Sequence, residues 1–175
     1  MGLELKTTAE IIRLSHIKRW GIVQTAVPQS VAEHSWRVWC LVRQWGPVVC
    51  LTPEVQRLAE DLALSHDIPE IRTGDCPTPA KTPELKDILA EAEREIYPPL
   101  AELEEITQGP AADLVKFCDT AEAILFLRVN GIGRHAKQVE ELLYMQMISR
   151  LESNSIPPIM KSLLLDAFMD CQKDT

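Results

Sequence analysis

Ionisable side chains occur in this sequence at positions where apolar residues are expected. His34 falls on the apolar face of a predicted helix, and His66 continues the apolar stripe of the next one, followed at once by Asp67. Asp119 lies within LVKFCDTAEAILFL (114–127), which is otherwise nearly all apolar. Burying an unpaired carboxylate carries a large free-energy penalty, so these groups need a partner.

A divalent metal ion shared by the two histidines and two aspartates would be such a partner. Neutral imidazole and ionised carboxylate suit a borderline or hard ion, which leaves Zn²⁺, Mn²⁺ and Co²⁺ open. Taken singly, a histidine on an apolar face is more often a hydrogen-bonded core residue, and Asp119 could form a salt bridge with Lys116. Four such residues on three core elements favour a metal site. The remaining histidines, His16 and His135, are interpreted as surface or capping residues.

The elements that must position these residues are predicted to be helices. Ser30-Val31-Ala32-Glu33 is a capping box, so a helix should begin at Ser30, and Thr52 should cap another with Pro53 at its first position. Four prolines and one glycine between Asp67 and Pro83 predict an irregular segment. The other predicted helices start after Thr7 or Thr8, cover about 84–97, 111–129 and 135–151, and follow Pro157-Pro158; Pro98-Pro99 is expected to break the chain.

Length and composition predict one compact domain over residues 1–175, folded as an all-α bundle of six or seven helices. The net charge of −8 argues against a nucleic-acid binder. No apolar run approaches the ~18 residues of a membrane span, and the N-terminus is unlike a signal peptide. Five scattered cysteines without a CxxC pair predict reduced thiols and a cytoplasmic protein. The sequence after residue 134 contains no motif and could serve the core or a subunit contact.

The order H … HD … D resembles the HD-domain metal-dependent phosphohydrolases. RW (19–20), SVAEHS (30–35), HDIPEIRTGDCPTPAK (66–81) and LVKFCD (114–119) are similar to the YfbR-like branch, which hydrolyses deoxynucleotides. The small size is similar to that of the compact phage members of the DatZ type. The resemblance covers roughly residues 10–130 and implies an HD-domain fold and a homo-oligomer, a dimer or a hexamer. It also implies a phage enzyme of the host cytoplasm.

The resemblance implies roles for residues around the metal site. Glu70 lies four residues after His66 and is expected to accept the proton of the attacking water, although an exposed turn acid would look the same. Asp75 is either a second proton-transfer group or a turn residue after Gly74. The phosphate-binding cations are expected to be Arg19, Lys81 and Lys116, and the base or sugar contacts Trp20, Ile22 and Pro79.

The resemblance implies a metal-dependent hydrolase that converts dATP to deoxyadenosine and triphosphate, and it leaves open whether Mg²⁺ assists at the polyphosphate. A 5′-deoxynucleotidase acting on monophosphates is the main alternative. Alarmone hydrolases of the HD class usually carry HDxxED, whereas Ile71 replaces the second acid here, and the GYP motif of cyclic-dinucleotide phosphodiesterases is absent. A non-catalytic module with a structural metal is the alternative from another class, and Glu70, Lys81 and Lys116 argue against it.

Overall fold

The computed structural model describes residues 4–5, 7–77, 80–152 and 158–173. These residues confirm the all-α prediction, because they form no strand and only two isolated β-bridges. Seven of the described helices are longer than one turn, and α1 and α4 are single turns. The helices are α1 (Thr8–Ile11), followed by a 3-10 turn (Ile12–His16), α2 (Val31–Trp45), α3 (Pro53–Ser65), α4 (Glu70–Thr73), α5 (Pro83–Ile96), α6 (Pro98–Ile106), α7 (Pro110–Asn130), α8 (Gly133–Glu152) and α9 (Pro158–Lys173).

The predicted start of α2 is confirmed in detail. The Ser30 hydroxyl accepts from the backbone N–H of Glu33, and the Glu33 carboxylate accepts from the backbone N–H of Ser30. Thr52 likewise accepts from the N–H of Val55, with Pro53 at the first helical position. Each cap satisfies backbone donors that have no partner within the helix, so both ends are well defined.

The Pro98-Pro99 dipeptide separates two helices, and the second of them is missing from the sequence prediction. Pro98 opens α6 directly after α5 ends at Ile96. Proline cannot donate to a preceding carbonyl, but the first helical position needs no such bond. The first helix is shorter than predicted, because its α-helical part covers only Thr8–Ile11 and the chain continues as a 3-10 turn.

Helices α2, α3 and α7 pack together around the largest hydrophobic cluster. Helix α7 is buried on most of its surface, so its polar residues cannot all reach solvent. Helix α8 also packs against α7: its Met147 belongs to the same main cluster, and its Ala136 is buried in a smaller cluster with Phe126 and Leu127. Among the described residues, no helix is long and apolar enough to cross a membrane.

Candidate active site

His34, His66 and Asp67 bring nitrogen and oxygen ligand atoms within 4.8 Å of one another, and no other described group of three does so. His34 projects from the first turn of α2, whereas His66 and Asp67 directly follow the end of α3. His34 Nε2 lies 3.6 Å from Asp67 Oδ2, and His66 Nε2 lies 3.3 Å from the same oxygen. Asp119 of α7 joins this cluster, since its Oδ1 lies 3.1 Å from His34 Nε2. His34 Nε2 therefore lies within 3.6 Å of a carboxylate oxygen of both Asp67 and Asp119, and His66 lies beside the same Asp67 oxygen.

The orientation of the two imidazoles fits a metal ion. His34 Nδ1 lies 2.6 Å from the Glu122 carboxylate, and His66 Nδ1 lies 2.9 Å from the carbonyl of Ala63. These acceptors assign the ring protons to Nδ1 and leave Nε2 as the free lone pair. Both Nε2 atoms are buried and make no hydrogen bond, which is the donor set expected of metal-binding histidines.

The charges of the cluster are strongly interdependent. Burial alone raises the pKa of Asp119, but contact with His34 and the nearby His66 and Arg19 outweigh it, so the pKa lies well below its usual range. Burial and Arg19 lower the pKa of His34, whereas Asp119 and Glu122 raise it more. Asp119 contacts His34, and no ion pair joins it to Lys116 in the described part of the chain. The simpler salt-bridge interpretation is therefore wrong.

A cavity of about 520 Å³ opens from the metal cluster, and Glu70 lies in its wall. The pKa of Glu70 is raised to about 9, first by burial and then by the negative charges of Asp67 and Asp75. Its Oε2 atom is buried and makes no hydrogen bond. Without a cation this carboxyl keeps its proton at neutral pH, so it can serve as a general base only when a nearby positive charge lowers its pKa towards the working pH.

Most of the other predicted site residues also line this cavity. Asp67 and Asp119 form its floor with Arg19, whose guanidinium lies 3.8 Å from Asp67 Oδ2. Lys116 is exposed and lies outside the cavity lining, and Pro79 falls outside the described residues. The predicted residues that line the cavity are Arg19, Trp20, Ile22, Asp67, Glu70, Asp75, Lys81 and Asp119.

The cavity has a wall that the sequence prediction missed, and it is provided by α8. His135, interpreted from sequence as a surface or capping residue, is exposed and lines this wall near the start of α8. The remaining members are Val139, Leu142, Leu143, Gln146 and Arg150. Their spacing of three or four residues places them on one helical face, and that periodicity was the available signal.

Two buried polar residues behind the cluster were also missed. Glu122 lies three residues after Asp119 on α7, and only 3% of its surface is exposed. Gln29, just before the cap of α2, is 1% exposed. Glu122 could have been found as a second acid within an apolar helix, one turn from Asp119. Nothing in the sequence near Gln29 indicated its burial.

Comparisons with known proteins agree with this geometry. The family model described as 5′-deoxynucleotidase YfbR-like matches residues 6–125. A dATP triphosphohydrolase of Cyanophage S-2L is 56% identical over 86% of each chain. A 5′-deoxynucleotidase of Vibrio parahaemolyticus is 36% identical, covering 77% of this chain and 73% of that one. A solved structure of the Cyanophage S-2L HD phosphohydrolase, bound to dA and one catalytic Zn²⁺ ion, superimposes with a TM-score of 0.95 at 50% identity, covering 98% of this chain and 99% of that one.

Proposed function

Because this chain belongs to the YfbR-like family of HD-domain phosphohydrolases, we propose that it is a metal-dependent deoxynucleoside triphosphate triphosphohydrolase. The enzyme converts dATP and water to deoxyadenosine and triphosphate. The observation that carries this assignment is the 56% identity to a dATP triphosphohydrolase along 86% of the chain. The cluster of histidine and aspartate beside a cavity supplies the chemistry that such a reaction needs.

The residues that would hold the metal ion are His34, His66, Asp67 and Asp119. Their unpaired Nε2 atoms and carboxylates are the ligands that Zn²⁺ takes in catalytic sites, and Mn²⁺ or Co²⁺ would also be accepted. Zn²⁺ is supported by the catalytic ion in the Cyanophage S-2L relative. When bound, the ion supplies Lewis acidity at the phosphoryl group and lowers the pKa of water.

Residues of the protein itself transfer protons and bind the phosphates. Glu70 accepts a proton from the water that attacks the α-phosphorus, while the bond between phosphorus and the 5′ oxygen breaks. Asp75 lies in the same wall, where it either returns a proton to the departing 5′ oxygen or holds the loop. Arg19 and Lys81 bind the polyphosphate from the cavity wall, Lys116 stays a predicted phosphate ligand outside the lining, and Mg²⁺ would serve as a counter-ion of the tail.

The base and sugar are assigned to the apolar end of the cavity. Trp20 and Ile22 line it, and Ile22 is 53% exposed in the absence of a ligand. Pro79 stays a prediction for the same surface. An apolar slot holds a planar base by shape and dispersion, so specificity for adenine would come from the fit of its edge.

The alternative activity is that of a 5′-deoxynucleotidase on monophosphates, which relatives such as the Vibrio enzyme carry at 36% identity. It has less support than the triphosphohydrolase, because the phage relative is more similar along more of the chain. We also propose that the protein works in the cytoplasm, where free deoxynucleotides occur, and as a homo-oligomer, either a dimer or a hexamer. Exposed apolar residues such as Trp36, 58% exposed, are available for a subunit contact.

Product analysis tests the assignment directly. The chelated protein is reloaded with one metal at a time and offered the four deoxynucleoside triphosphates, ATP and the deoxynucleoside monophosphates. Triphosphate and deoxyadenosine from dATP are the expected products. Phosphate from monophosphates, with triphosphates untouched, would establish the nucleotidase instead. No turnover with any metal would favour a non-catalytic module.

A further inference from the structure

A continuous chain of hydrogen bonds links the metal cluster to the wall of the cavity through the protein interior. His34 Nδ1 lies 2.6 Å from Glu122 Oε2. The other carboxylate oxygen, Oε1, accepts from Gln29 Nε2 at 2.6 Å. Gln29 Oε1 in turn accepts from the indole N–H of Trp20 at 2.7 Å. Trp20 lines the cavity, so a residue of the proposed metal site and a residue of the cavity wall share one hydrogen-bonded path.

The chemistry of the end groups orients every member of this chain. An indole nitrogen only donates, so the Gln29 oxygen must face Trp20. The Gln29 amide nitrogen then faces Glu122, whose carboxylate accepts from Gln29 and from His34 and also, at 3.5 Å, from Arg37. His34 therefore carries its proton on Nδ1 and presents Nε2 to the cluster. Gln29 and Glu122 are 1% and 3% exposed, so solvent cannot easily replace a lost partner.

Trp20 is a residue that needs such a partner. Its backbone has φ of 66°, a left-handed conformation that is rare for a bulky side chain and is maintained only when surrounding contacts enforce it. The ring stacks on Phe126 with centroids 5.8 Å apart, and the bond to Gln29 sets its rotation in that plane. Arg19, the next residue toward the N-terminus, has its guanidinium 5.5 Å from the Trp20 ring centroid. Moving Trp20 would therefore also move a cation at the cluster.

We propose that Gln29 is a positioning residue that ties the orientation of His34 to that of Trp20. Because Glu122 joins Gln29 to His34, metal binding at His34 and ordering of the cavity wall at Trp20 favour each other. The inference rests on the proposed function for the identity of the bound metal and the substrate. The proposal predicts that the indole N–H of Trp20 contributes to metal affinity, although three hydrogen bonds in series separate it from His34.

The test is a double-mutant cycle read out as zinc affinity by chelator competition, with no substrate present. Gln29→Met removes both hydrogen bonds, and Trp20→Phe removes the N–H while keeping an aromatic ring. We expect affinity to fall about 10-fold for Gln29→Met, the lower end of outer-shell effects on metal sites, and by less, about 3-fold, for Trp20→Phe, which is one bond further from the ligand. In the Gln29→Met background, Trp20→Phe should cause no further loss. An equal loss in both backgrounds, or none in the wild type, would overturn the proposal.

Two further variants keep the test informative. Gln29→Leu also removes both hydrogen bonds and is also apolar, so it replaces Gln29→Met in the cycle if that variant does not fold. Gln56 is the matched control, because its amide is also partly buried and donates to Glu60 and to the carbonyl of Val42, away from the cavity. Gln56→Met should lower the melting temperature and leave zinc affinity unchanged. Equal loss of zinc affinity in Gln56→Met would show a general packing effect and overturn the positioning role.

The proposal and the function can fail separately. If Trp20→Phe loses its effect on zinc affinity in the Gln29→Met background but the protein does not hydrolyse dATP, the proposed function is rejected and the positioning role is supported. If the two substitutions lower zinc affinity independently of each other while triphosphate is released normally, only the positioning role is rejected. A second readout is kinetic: Gln29→Met should raise KM for dATP, because Trp20 loses its anchor, even when zinc is added to saturation. An unchanged KM under those conditions would contradict the link to the cavity.

Discussion

Glu70 lies in surroundings that oppose its negative charge. Burial and the neighbouring Asp67 and Asp75 raise its pKa to about 9, so without a cation the group is protonated at neutral pH. A bound cation would offset the charges of these aspartates and lower that pKa towards the working pH. The same residue can thus be neutral in the metal-free protein and a base in the loaded enzyme.

Replacement of this residue tests its role. Glu70→Gln should lower kcat for dATP by about 10²- to 10⁴-fold, because the amide cannot accept the proton of water. Zinc stoichiometry should stay unchanged, since Glu70 is not among the proposed ligands. Asp113→Asn is a suitable control: burial also raises the pKa of Asp113, but this residue does not line the cavity. A Glu70→Gln enzyme with more than a tenth of wild-type kcat would reject the role as base.

The same pKa shift predicts a pH dependence of stability in the chelated protein. The folded pKa of Glu70 lies above the unfolded value, so the folded state binds more protons than the unfolded state between the two. The contribution of Glu70 is therefore fully present below about pH 4.5 and is lost as pH rises through about 9. Glu70→Gln stays neutral, so its free energy of unfolding relative to the wild type should increase from pH 5.5 to pH 8.5. Urea unfolding at both values measures this, and a constant difference would contradict it.

Among the helices, α8 connects the core to the cavity. One face carries apolar residues flanked by His135 at one end and by Gln146 and Arg150 at the other. Leu142 lines the cavity and is 62% exposed, so its apolar side chain is accessible to a ligand bound there. We expect the nucleotide to cover it, because α8 faces the wall that carries Trp20 and Ile22.

A matched pair on α8 tests this expectation. Leu142→Ala should raise KM for dATP about 5-fold, from the loss of roughly 1 kcal/mol of apolar contact, with little change in melting temperature. Met145 is 64% exposed on the same helix and does not line the cavity, so Met145→Ala should leave KM unchanged. Steady-state kinetics on the two variants give the comparison. Equal effects would point to a subunit contact on this face of α8 and not to the nucleotide.

For the molecule as a whole, the hydrophobic core and the metal site are separate sources of stability. The main cluster includes Val42, Leu62, Leu114 and Ile124 and does not depend on the ligand residues. The site joins α2, the end of α3 and α7 through four polar side chains, two of which are carboxylates whose charges a cation would offset. A metal ion should therefore add stability to a fold that already exists.

Metal removal is expected to abolish activity before it unfolds the protein. Zinc at a hundred times its dissociation constant should stabilise the native state by roughly 2.7 kcal/mol, so chelation lowers the melting temperature. Far-ultraviolet circular dichroism at 25 °C should keep the helical signal. Loss of that signal on chelation would mean that the metal is required for folding, as in a structural site.

The fold class and the candidate metal ligands could be predicted from sequence for local reasons. Capping at Ser30 and Thr52 depends on residues within one turn, so the starts of α2 and α3 could be predicted. A polar residue on the apolar face of a helix is expected to be buried where helices pack, and this pattern identified His34, His66 and Asp119 as candidate site residues. Helix α6 was missed because proline both ends one helix and opens the next, and the dipeptide alone does not distinguish these roles.

The tertiary structure decided which distant residues became partners. Glu122, Gln29 and Trp20 come from separate parts of the chain, and only the packing of α7 against the loop before α2 brings them into one hydrogen-bonded path. The wall of α8 likewise depends on how α8 docks on α7. Periodicity shows which face of a helix is apolar, but the neighbour that the face meets is set by long-range packing. Short-range patterns therefore predicted the ligands, whereas their supporting residues and the shape of the cavity required the fold.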